Sequence, residues 1–68
     1  MVELTLLNGD TLYINPDLIE FMSETPDTVI FMSTGRKQIV KETISQIMEK
    51  IVVYKRLLFS GSVDYSKH

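Results

Sequence analysis

Four turn signals fall within the first 35 residues, and they leave no stretch there long enough for an ordinary helix. Asn8-Gly9, Asn15-Pro16-Asp17, Thr25-Pro26-Asp27 and Thr34-Gly35 cut this part of the chain into pieces of five to seven residues. Each break has a local cause. Asn8 and Gly9 tolerate the positive φ of a type I′ hairpin turn. Pro16 and Pro26 have no N–H to give to a ladder, and Asn15, Asp17 and Asp27 fold their side chains back onto nearby backbone. Gly35 supplies the remaining turn. The pieces between the breaks carry the period of strands. They are "VELTLL" (Val2 to Leu7), "TLYI" (Thr11 to Ile14), "LIEFMSE" (Leu18 to Glu24), "TVIFMS" (Thr28 to Ser33) and "RKQIV" (Arg36 to Val40). Alternation in the third puts Ile19 and Phe21 on one face and Glu20, Met22 and Glu24 on the other. The fourth is apolar on both faces and reads as the central strand.

After Val40 the period changes. Thr43-Ile44-Ser45-Gln46 has the form of a capping box. Ile44, Ile47, Met48, Ile51, Val52, Tyr54, Leu58 and Phe59 then fall within an arc of about 160° at helical spacing. Val53 and Leu57 lie on the opposite side among Gln46, Glu49 and Lys50, and Lys55 projects into the apolar arc. Either Val53 and Leu57 are isolated surface residues, or they contact a second subunit. The expected fold is α+β: a small curved antiparallel sheet or barrel of about five short strands followed by one C-terminal helix. A single domain is expected over residues 1–59, with a disordered tail over 60–68.

At 68 residues the chain buries only about 60% of its unfolded surface, and small scaffolds of this kind add a disulfide, a metal or an oligomeric partner. The absence of cysteine removes the first. No apolar run approaches the ~18 residues of a membrane span. The opening "MVELTLLNGD" has neither the basic start nor the cleavage site of a signal peptide. A cytoplasmic protein with no membrane insertion is expected.

Charge is unevenly spread. Residues 1–35 hold Glu3, Asp10, Asp17, Glu20, Glu24 and Asp27 and no base, giving −6. Residues 36–56 hold Arg36, Lys37, Lys41, Lys50, Lys55 and Arg56 against Glu42 and Glu49, giving +4. Folding either intermixes these charges or leaves a two-sided molecule suited to an oriented partner.

Catalytic chemistry finds little to work with. The single histidine is the terminal His68, and a Ser–His pair needs positioned groups. Zinc needs clustered Cys and His, and calcium a dense oxygen loop. The carboxylates Asp17, Glu20, Glu24 and Asp27 read as turn formers and a solvated strand face. No catalytic, cofactor-binding or metal residue is therefore expected. A nucleic-acid interface could draw on Arg36, Lys37 and Lys41 with Tyr13, Phe21 and Phe31. The acidic pI of 5.2 and the core-like placing of both phenylalanines disfavour it. Lys50, Lys55 and Arg56 are explained by the helix dipole.

The motifs in order, "LNG" (7–9), "INPDLIE" (14–20), "ETPDTVI" (24–30), "TGRK" (34–37) and "VKET" (40–43), resemble the FlbD or SwrD family of small flagellar proteins across residues 1–58. The matching residues are Asn8, Gly9, Asn15, Pro16, Asp17, Pro26, Asp27, Gly35 and Lys37. Ser23 stands where the family pattern prefers an acid. The resemblance implies a non-enzymatic cytoplasmic protein, peripheral to the flagellar motor, that supports swarming and motor power. It implies a partner such as the stator or another motor protein. Candidate contact residues are Arg36, Lys37 and Lys41 on the basic side and Glu20 and Glu24 on the acidic side. Val53 and Leu57 are the candidate interface of a homo-oligomer. The alternative is a nucleic-acid-binding regulator of flagellar gene expression.

Overall fold

The computed structural model describes residues 1–66, with side chains through Phe59. The five expected strands form, in order β1 (Val2–Thr5), β2 (Thr11–Ile14), β3 (Ile19–Ser23), β4 (Thr28–Met32) and β5 (Lys37–Val40), and the helix α1 (Ile44–Ser66) follows. The tail expected over 60–68 falls outside the described side chains. The strands make two antiparallel sheets, β1-β2 and β3-β4-β5, with β4 central in the second as its two apolar faces require. One bridge between Leu6 and Val40 and a Lys41 N–H to Thr5 carbonyl bond of 2.8 Å join them. The sheets do not close, so the barrel alternative is not realised.

The β1-β2 and β4-β5 hairpins share one loop geometry. In the first, Leu6 N donates to the Asp10 carbonyl and Gly9 N to the Leu6 carbonyl; in the second, Met32 N donates to Arg36 and Gly35 N to Met32. Only Gly9 (φ 94°) and Gly35 (φ 92°) are left-handed among the described residues. This is a longer loop ending in a left-handed glycine, not the type I′ turn expected at Asn8-Gly9. Asn8 keeps a negative φ and works through its side chain, whose Oδ1 accepts from Asp10 N at 2.9 Å. Asn15 does the same for Asp17 N at 3.0 Å, and Pro16–Leu18 becomes a 3-10 turn that takes Leu18 out of β3.

A second correction concerns β3. Its register with β4 runs Ile19↔Met32, then Phe21↔Phe31, so Glu20 is an extra residue without a partner. Such a bulge resets the alternation. Ile19 and Met22 both pack against the core, whereas Phe21 turns outward. The expectation that Ile19 and Phe21 share a face fails for this reason.

The core is built from Val2, Leu4, Ile14, Ile30, Val40 and Ile47, one or two residues from each of five elements. The capping box forms as expected: Gln46 N donates to Thr43 Oγ1 at 3.1 Å, and Thr43 N to Gln46 Oε1 at 2.9 Å. Along α1, Ile47 is fully buried and Ile51 and Tyr54 pack against the core. Met48, Val52, Leu58 and Phe59, expected in the same apolar arc, remain exposed. The helix therefore overhangs the sheets, and the molecule measures 48 × 22 × 19 Å. No described helix is long and apolar enough to cross a membrane.

Candidate interaction surfaces

The outer face of the three-stranded sheet is assembled by the β3 bulge. Phe21 and Phe31 are cross-strand neighbours whose rings stack at 4.3 Å between centroids and 18° between planes. Phe21 is 53% exposed. Lys37 lies opposite Phe31, and Ile39 opposite Val29. Side chains two apart on a strand share a face, so Lys37 and Ile39 line this outer surface, whereas Lys41, one residue past β5, lines the groove beside α1. The result is an aromatic and aliphatic patch with Lys37 at its edge. Tyr13 is exposed on the other sheet and does not join it.

The expected basic group is thereby divided: Arg36 and Lys37 sit at the hairpin end of β5, and Lys41, past its other end, lines the groove beside α1. The acidic pair is also separated. Glu20 is the exposed bulge residue, whereas Glu24 Oε1 accepts from Ile44 N at 2.7 Å. Glu24 thus places a negative charge on the N-terminus of α1, where free N–H groups and the helix dipole favour it.

The two charge blocks are partly intermixed by folding. Lys55 pairs with Asp17, and Lys50 Nζ donates to the Glu3 carbonyl at 2.9 Å. Of the turn residues, Pro16 is buried, whereas Pro26 and Asp27 are exposed in the β3-β4 loop. One contact had no signal in the sequence: the Glu42 carboxylate accepts from Thr5 N and Thr5 Oγ1, both at 2.9 Å. Burial works to raise its pKa. The bonds from Thr5 and its own backbone, together with the Lys50 charge, outweigh that and hold it below the ordinary glutamate value. No group of three potential metal ligands occurs among the described residues.

The family model of flagellar and swarming motility proteins, FlbD, matches residues 1–59. The chain belongs to this family. No curated protein and no solved structure matches it. The FlbD match spans all five strands, the capping box and α1 as far as Phe59, so the outer sheet face and the overhanging helix both lie within it. Beside that helix this FlbD chain has an open groove of about 760 Å³, walled by Met1, by Val2 of β1 and by Gln46, Lys50, Val53 and Leu57 of α1. Val53 and Leu57 are 51% and 70% exposed. Both lie on the side of the helix opposite the buried arc, and Met1 of the same groove is 65% exposed.

Proposed function

We propose that this FlbD-family chain is a non-enzymatic cytoplasmic accessory of the flagellar motor. It supports motor power by binding a stator or another motor protein through the outer face of the three-stranded sheet. The observation that carries this reading is the Phe21–Phe31 stack beside Lys37, with Phe21 exposed and Phe31 half-buried. An aromatic ring left in water is costly in isolation and typical of protein interfaces. Arg36 extends the positive edge, which suits an acidic surface on the partner.

The test is made in flagellated cells. Phe21→Ala and the double change Arg36→Glu with Lys37→Glu leave filament number unchanged and lower the rotation of tethered cells under load. The purified variants keep the native circular dichroism spectrum. Normal load-bearing rotation in both variants would remove this face from the motor. Loss of filaments would point to assembly or expression.

The same arrangement of stacked rings and basic side chains favours a second reading, a platform for single-stranded nucleic acid. The acidic pI of 5.2 and Glu20 at the patch edge weigh against it. Fluorescence anisotropy with single-stranded RNA and DNA decides the matter: binding that weakens steeply with salt supports the platform.

A further inference from the structure

We infer that two copies of this chain pair through antiparallel α1 helices, with Leu57 of each copy seated in the groove of the other. Four observations converge on this arrangement. Ile47, Ile51 and Tyr54 turn toward the core of their own chain, and the stripe on the opposite side of the helix is Glu49, Val52, Val53 and Arg56. These occupy positions i, i+3, i+4 and i+7, which is one helical face. All four are exposed, so nothing in the monomer uses them.

The order of charges along this stripe selects the orientation. A parallel, in-register pair sets Glu49 against Glu49 and Arg56 against Arg56. An antiparallel pair centred between Val52 and Val53 sets Glu49 of each copy against Arg56 of the other and places valines against valines at the middle. Opposite charges steer and fix register, and like charges are excluded.

The same register accounts for the groove. Counting from that centre, Leu57 of one copy lies level with Met48 of the other, on the flank formed by Gln46 and Lys50. Gln46 and Lys50 are walls of the groove, whose apolar surface comes from Met1, Val2, Val53, Tyr54 and Leu57. Leu57, at 70% the most exposed large apolar residue among the described side chains of the helix, stands at one end of this groove as the knob, and the part of the groove beside Gln46 and Lys50 is the hole. Knob and hole on one chain, related through one centre, make a closed two-fold contact rather than an open filament. The rim carries both Lys41 and Lys50 and both Glu3 and Glu42, so a second copy meets no field of a single sign.

Sedimentation equilibrium of the full chain tests the pairing. Wild type sediments as a dimer. Glu49→Arg or Arg56→Glu alone weakens dimerisation roughly ten-fold, since two attractions become two repulsions. The exchange Glu49→Arg with Arg56→Glu restores it. Leu57→Asp gives a monomer with unchanged helical circular dichroism. A wild-type chain that remains monomeric up to about millimolar concentration, the weak limit of specific association, overturns the proposal. So does a charge exchange that fails to restore what the single changes lose.

Discussion

Two stretches of α1 are both rich in apolar side chains and have opposite surroundings. From Ile44 to Tyr54 the helix lays Ile47, Ile51 and Tyr54 on the core. From Leu57 to Phe59 every side chain is apolar and exposed, with Phe59 at 64%. The difference lies in the sheets. Strands of four or five residues are about 13–17 Å long, which matches about three turns of helix. A 23-residue helix is about 35 Å long, so it runs on past the strands, and Leu57, Leu58 and Phe59 stay exposed. Periodicity identifies which residues share a face. It carries no information about how far the opposing surface extends.

Substitutions can break this contrast directly. Ile47→Ala removes a fully buried side chain and should cost about 2–5 kcal/mol of unfolding free energy. Leu57→Ala, measured by urea denaturation at a dilution where the chain is monomeric, should change it by less than about 0.5 kcal/mol. Equal losses at the two sites would mean that the overhanging half packs on its own chain after all. The proximal half also depends on its cap. Thr43→Ala should cost about 1 kcal/mol, and Glu24→Gln a fraction of that, with the loss reduced by salt.

The smallest effect concerns the Glu42–Thr5 clasp, which holds β1 against the segment leading into α1. The carboxyl pKa is lowered on folding, so its contribution is present above the unfolded value. It is lost as pH falls below about 4.5 and through the folded value. Thermal melting from pH 6 to pH 3 should therefore show a steeper decline in wild type than in Glu42→Gln. Parallel profiles would show that the clasp adds nothing.

The legible parts of the fold were those set by neighbours in sequence. Gly9, Asn15, Gly35 and the Thr43–Gln46 box act on residues within four positions of themselves, and each is found at work. The turn at Asn8-Gly9 differs in type because the β1-β2 register needs one left-handed residue rather than two. The bulge at Glu20 was invisible because strict alternation through Ile19, Phe21 and Ser23 is an equally regular pattern. It is decided by how β3 pairs with β4, and it is what brings Phe21 onto the outer face. Of the site candidates, Lys37 reached a shared surface with the aromatics, and Glu24 was drawn instead into capping α1. The Thr5–Glu42 contact joins residues 37 positions apart and depends on the whole fold being in place.

The entry to α1 gathers the molecule at one point. Glu24 comes from the end of β3, Glu42 grips Thr5 of β1, and Ile47 enters the core within the next turn. In mechanical terms this first turn is a hinge pin shared by two leaves. Loosening it frees the smaller sheet and the larger one together, because both are clamped to the same point.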